Sequence, residues 1–138
     1  MLNQTPVSTI MTKDLFLLGA SDTLRDAEKT FRNHSLRHAP VVLGGELVGM
    51  LSIVDLKNKE DEDNSGAFGI DSKYMPMLVS QVMTPDPISI QQDASIEEIA
   101  QLFTDHDFHA IPVLDGDSIV GIVSTTDIIR FFLEHWDA

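Results

Sequence analysis

Val48-Gly49-Met50-Leu51-Ser52-Ile53-Val54-Asp55 returns 72 residues later as Val120-Gly121-Ile122-Val123-Ser124-Thr125-Thr126-Asp127. Outward from this stretch the match runs without a gap over residues 7–56 and 79–128. Val7-Ser8, Met11-Thr12, Asp14, Phe31, His34, Pro40-Val41 and Gly44 recur as Val79-Ser80, Met83-Thr84, Asp86, Phe103, His106, Pro112-Val113 and Gly116. Most other pairs exchange one apolar residue for another. A repeat this long is a supersecondary unit used twice, so the fold should pair two like halves. Halves related by a pseudo-two-fold axis predict paired clefts between them, and function is sought there.

Each copy reads as strand, helix, strand, strand, helix, an α/β (α+β) pattern. In the first copy Leu15-Phe16-Leu17-Leu18 is a short apolar strand. Thr23, with Asp26 three residues on, occupies a capping-box position, and Leu24, Ala27 and Phe31 follow at helical spacing. In the second copy Ser95 and Glu98 form the cleaner box, and Ile96, Ile99, Ala100 and Phe103 form the stripe. Ala39-Pro40-Val41-Val42-Leu43 and Ile111-Pro112-Val113-Leu114 are the next strands. Gly44-Gly45 and Asp115-Gly116-Asp117 turn the chain into Leu47–Leu51 and Ile119–Val123. Uniform apolarity in these last strands predicts burial on both faces. The helix closing the first copy has little room before a charge run and is expected to be short. The last helix starts near Ser124 or Thr125 and is expected to place Ile128, Ile129, Phe132, Leu133 and Trp136 on one broad face.

A chain of 138 residues is one ordinary domain or two small subdomains sharing a core. One copy of about 50 residues would be marginal by itself, so each half is expected to need the other. The composition is 43% hydrophobic with seven Phe and one Trp, enough for a packed core. The formal net charge of −13 argues against nucleic acid and anionic membranes as partners. Solubility is its plainest meaning. The absence of Cys removes disulfide and thiolate chemistry and fits a reducing cytoplasm. Met1 to Pro6 show no basic region followed by an apolar stretch, and no apolar run approaches a membrane span. The expected location is therefore cytoplasmic.

The expected boundaries are residues 1–60 for the first repeat, 61–78 for an acidic connector and 79–138 for the second repeat. The connector carries Glu60-Asp61-Glu62-Asp63 and Asn64-Ser65-Gly66, and reads as a solvated loop over residues 58–72 rather than a cation site.

Together Ile10-Met11-Thr12, Arg37-His38-Ala39-Pro40-Val41-Val42 and Val48 to Asp55, with their second copies, resemble a tandem pair of CBS domains, or Bateman module. Each piece is weak alone, but their order and spacing, twice over about 120 residues, are specific. The resemblance implies two β-α-β-β-α repeats packed through their sheets, with clefts that bind adenosine nucleotides in many relatives. It also implies frequent dimerisation. No other domain flanks the pair in this sequence, so a stand-alone module is expected.

The Gly-apolar-apolar-Ser-x-x-Asp segments carry the sharpest site hypothesis. The Ser stands where a strand ends and a helix begins, where helical N–H groups suit a phosphate. An Asp one turn on can accept both hydroxyls of a ribose. By resemblance Asp55 and Asp127 are ribose ligands, and Ser52 and Ser124, with Thr125, lie on the phosphate side. Ser-x-x-Asp is equally an ordinary helix cap, and the two roles are compatible. Three residues before each repeated proline stand Arg37 and His109, which the resemblance turns toward phosphate. The alternative is an exposed basic residue at a strand edge. The purine would lie against Leu18 and Ile90 of the first strands and Ala39 and Ile111 before the prolines.

His106-Asp107-Phe108-His109 beside Asp105 looks like a metal cluster, yet His34 and His106 fall at matching helix ends, where imidazole suits the helix dipole. No metal site is expected. No nucleophile motif or phosphate-cradling loop is present, so no catalytic residue is expected and the chain does not read as an enzyme. Asp14 and Asp86 read as turn residues. The expected function is a regulatory module sensing an adenine nucleotide, AMP or ADP in preference to ATP because each added phosphate approaches an acidic protein. No obligatory cofactor is expected. The expected assembly is a homodimer through the last helix, with an unidentified protein target. The alternative is an interaction or dimerisation module whose clefts are filled by Phe16, Met50 or Phe108.

Overall fold

The computed structural model describes residues 4–59 and 71–136. The acidic run Glu60 to Asp63 and Asn64-Ser65-Gly66 lie outside the described residues. The elements follow the order β1 (Leu18–Gly19), α1 (Leu24–His34), β2 (His38–Leu43), β3 (Glu46–Ser52), α2 (Ile53–Lys57), β4 (Thr84–Pro85), β5 (Ile90–Gln91), α3 (Ile96–Asp105), β6 (Ala110–Asp115), β7 (Ser118–Ser124) and α4 (Thr125–Glu134). One-turn 3-10 segments, Val7–Thr9 and Val79–Gln81, open each copy. The architecture is mixed α+β, with a four-stranded sheet β1-β2-β3-β4 and a three-stranded sheet β5-β6-β7.

Local chemistry explains most boundaries. Thr23 accepts the Asp26 N–H and Asp26 accepts the Thr23 N–H, closing a full box at the start of α1. Ser95 caps α3 by accepting the Glu98 N–H at 3.2 Å; among the described residues this cap is one-way. Both hairpins have two-residue turns, with Leu43 paired to Glu46 and Asp115 to Ser118. Gly44 and Gly45 have φ of 59° and 84°, a combination that only glycine adopts freely and that matches the twist of a hairpin. Both hairpins also carry an irregularity at the same place, after Val41 and after Val113. β1 pairs in parallel with β2 only from Val41 onward, so the missing N–H of Pro40 breaks no ladder bond. The expected strand at Leu15–Leu18 contracts to Leu18–Gly19, because only these residues reach β2.

The chain forms two compact units that do not follow the sequence repeats. One runs from Phe16 to Pro87; the other joins the residues up to Leu15 with those from Ile88 onward. In the first unit Leu18, Leu24, Ala27, Phe31, Ala39, Val41, Leu51 and Leu56 close around Val79, which comes from the second repeat. In the other, Ile96, Ile99, Ile111, Val113, Val123, Ile128 and Phe131 close around Val7, which comes from the first. The docking bonds are alike. Val79 N–H donates to the Asp22 carbonyl and Val7 N–H to the Ala94 carbonyl, each at 2.7 Å. Each repeat therefore surrenders its leading segment to the other unit.

Two details concern the connector and the last helix. Met75 and Met77, in the connector, pack against the core of the Phe16–Pro87 unit, and the Met77 carbonyl accepts the Leu24 N–H at 2.8 Å. The apolar side of α4 is split. Ile128 and Phe131 are buried, whereas Ile129, Phe132, Leu133 and Trp136 are 59%, 52%, 73% and 75% exposed. Phe131, not Phe132, lies one turn from Ile128 on the core-facing side; Ile129, Phe132 and Leu133 form a second, exposed stripe, and Trp136 lies past the end of the helix rather than on its face. As expected, α2 is short, with five residues.

Candidate functional site

In the Phe16–Pro87 unit, β3 delivers Ser52 as the N-cap of α2 in extended backbone, φ −111° and ψ 161°. Ser52 Oγ accepts the Asp55 N–H at 3.3 Å, and Asp55 Oδ2 accepts the Ser52 N–H at 2.9 Å. In the other unit β7 delivers Ser124 to α4 in the same way, with corresponding distances of 3.2 Å and 2.9 Å. Both segments are therefore complete capping boxes. A carboxylate has about four lone-pair sites, and the box uses one of them on Oδ2. The remaining lone pairs leave each carboxylate able to accept further hydrogen bonds while it caps its helix.

Arg37 and His109 lie beside these helix starts. The Arg37 carbonyl accepts the Ile53 N–H at 2.8 Å, and the His109 carbonyl accepts the Thr125 N–H at 3.0 Å. Both residues are exposed. The same bonds reduce the donors available at each helix start. The first helical N–H goes to the Arg37 or His109 carbonyl and the third to the Ser hydroxyl, so that among the described residues only the second, from Val54 or Thr126, is left uncommitted in the first turn.

The apolar candidates are placed differently. Leu18, Ala39 and Ile111 are core side chains at 2%, 0% and 0% exposure, and Ile90 packs at the edge of its core. Ala39 faces Leu51 and Ile111 faces Val123 across the hairpins. The side chains of Leu18, Ala39 and Ile111 are committed to packing, so a purine could meet only their backbone.

The repeated glycine has its own cause. A Cβ on Gly121 would come 2.5 Å from Met11 Sδ and 3.1 Å from the Thr12 carbonyl oxygen. One on Gly49 would collide with Met83 and approach the Thr84 carbonyl oxygen at 3.0 Å. Thr12 bridges Ile122, and β4 pairs Thr84 with Met50, so the Met-Thr pairs lie directly over the glycines. This close approach accounts for the matching Met-Thr and Val-Gly pairs.

One neighbour was not singled out in the sequence. Arg130 Nη1 lies 3.3 Å from Asp127 Oδ1, with the Asp127 side chain 10% exposed and that of Arg130 61% exposed. The matching position in the first copy is Asn58. The (i, i+3) spacing of Asp127 and Arg130 was the readable signal.

Elsewhere, His106 stacks on Phe108 at 5.1 Å and His34 on Phe16 at 3.8 Å between ring centroids. Among the described residues no group of three or more His, Asp or Glu side chains is arranged to hold a metal ion. Asp86 has φ of 47° and donates its N–H to the Val48 carbonyl at 3.1 Å, the geometry of a turn residue. No helix among the described residues is long and apolar enough to cross a membrane.

The CBS domain family model matches residues 7–61 and 79–134. The chain belongs to the CBS domain family. As a CBS pair it is 29% identical over 122 residues to the CBS domain-containing protein YhcV of Bacillus subtilis, covering 88% of this chain and 81% of YhcV. Among solved structures, CBSX2 in complex with AMP superposes with a TM-score of 0.79 at 25% identity, over 96% of this chain and 99% of that one. The CBS domain of a membrane protein from Sphaerobacter thermophilus gives a TM-score of 0.78 at 27% identity, over 94% and 89% of the two chains. Several curated relatives are longer. The chain spans 44% of one uncharacterized protein of Methanocaldococcus jannaschii and 33% of another.

Proposed function

We propose that this CBS pair is a regulatory module that binds adenosine nucleotides, with Asp55 and Asp127 as ribose ligands in their respective units. The carrying observation is the doubled capping box. In each unit a carboxylate is fixed at a strand-to-helix turn by a 2.9 Å bond to the Ser N–H, with lone pairs left over for a diol. The AMP complex of the similar CBSX2 supports this ligand class. Arg37 with Ser52, and His109 with Ser124 and Thr125, form the phosphate side. The base lies along the backbone near Ala39 and Leu18 in one unit, and near Ile111 and Ile90 in the other.

AMP and ADP are favoured over ATP. The chain carries a formal charge of −13, and each further phosphate meets that field with one Arg or one His beside it. Calorimetric titration without magnesium tests the order. AMP and ADP should bind more tightly than ATP, and tighter ATP binding refutes the charge argument. The role is binding and regulation, not catalysis. Regulation requires a second site or partner that reads occupancy, and an effector or a target protein fills that role.

A second reading rests on α4. Ile129, Phe132 and Leu133 form an exposed apolar stripe on α4, with exposed Trp136 just past its end, which suits self-association into a homodimer. Phe132→Asp should shift the sedimentation coefficient from dimer to monomer. An unchanged coefficient places the dimer contact elsewhere or removes it.

A further inference from the structure

We infer that Arg130 competes with the ribose for Asp127 and so makes the two adenosine sites unequal. This rests on the ribose reading above. Asp127 Oδ2 is held by the Ser124 N–H at 2.9 Å, and Oδ1 is engaged by Arg130 Nη1 at 3.3 Å. Both oxygens a vicinal diol would approach therefore already carry a partner. In the other unit Asp55 Oδ2 is held in the same way at 2.9 Å, but Asn58 stands where a matching Arg would be. Among the described residues no ion pair involves Asp55.

Arg130 follows Asp127 by three residues, and its guanidinium reaches back along the helix to Asp127 Oδ1. Its contact is thus with the diol's acceptor. A carboxylate hydrogen-bonded to a guanidinium is a weaker acceptor for a neutral hydroxyl, and a diol that displaces the guanidinium must break the ion pair. The pair is stronger than a fully exposed one because the Asp127 side chain is only 10% exposed. It is weaker than a buried one because Arg130 can swing into water. The net effect is a ribose site with lower intrinsic affinity, which rises as salt loosens the ion pair.

The test uses the full chain carrying Asp55→Ala, so that only the Asp127 site remains, and neutral adenosine as ligand, so that phosphate plays no part. Arg130→Gln should tighten adenosine binding about threefold by calorimetry, the scale of a half-exposed ion pair, and should flatten its salt dependence. Arg130→Lys should fall between Gln and Arg. If Arg130→Gln leaves adenosine affinity unchanged or weaker while Asp127→Ala still abolishes binding, the competition is wrong and the ribose reading stands. If adenosine binding survives Asp127→Ala in this background, the ribose reading fails and the competition fails with it.

Discussion

Gly121 lies directly under Met11: a Cβ at Gly121 would stand 2.5 Å from Met11 Sδ and 2.8 Å from its Cγ. Met11 belongs to the first sequence repeat and Gly121 to the second, yet both sit in one compact unit. Gly121→Ala should therefore push both the Met11 side chain and the Thr12 backbone, destabilising the protein by about 1–3 kcal/mol in denaturant titrations. Adding Met11→Ala should remove part of the clash, so the double variant should lose less than the sum of the singles. Strict additivity would show that the two residues do not meet.

The exchange of leading segments makes a second prediction. A fragment of residues 16–87 contains one whole unit, including Val79 and β4, and should unfold cooperatively by circular dichroism. A fragment of residues 1–61, which follows the sequence repeat, lacks Val79, Met77 and β4 and should show no cooperative transition. The reverse outcome would make the repeat, and not the compact unit, the folding element.

Element order, capping residues and hairpin turns were legible because each is encoded locally: Thr23 with Asp26, Ser52 with Asp55, Gly44 with Gly45. The exchange was not legible, for a physical reason. Val7 and Val79 are identical, and so are Met11 and Met83, so a leading segment docked on its own repeat or on the other leaves the same pattern of identities. Burial on α4 was half legible. Its apolar residues at Ile128, Ile129, Phe131, Phe132 and Leu133 cover too wide an arc for spacing to tell the core stripe from the exposed one. At the candidate site the Ser-x-x-Asp turn was readable. The commitment of two of the first three helical N–H groups was not, because it depends on where the Arg37 and His109 carbonyls fall.

Two adjacent residues of α4 should respond very differently to truncation. Phe131 is 5% exposed within its core, and Phe131→Ala should cost about 3–5 kcal/mol. Phe132 is 52% exposed, and Phe132→Ala should stay within about 0.5 kcal/mol when the protein is dilute enough to be monomeric. Equal losses in chemical denaturation would contradict the assigned helix orientation.

Capping and binding should separate at the serines. Ser52 Oγ and Ser124 Oγ each accept the Asp N–H of their own box, so Ser→Ala at either should cost about 1 kcal/mol of stability. Each carboxylate would remain, and adenosine affinity should fall far less than on removal of Asp55 or Asp127. Loss of binding as complete as with the Asp variants would move the ribose contact from the carboxylate to the hydroxyl.

The central claim is that Asp55 and Asp127 hold the ribose, and the most direct measurement is AMP titration calorimetry of the wild type, Asp55→Ala, Asp127→Ala and the double variant. Circular dichroism would establish that each is folded. The account predicts that each single substitution removes one site and that the folded double variant binds no AMP. A folded double variant that binds AMP with wild-type affinity and stoichiometry would contradict it.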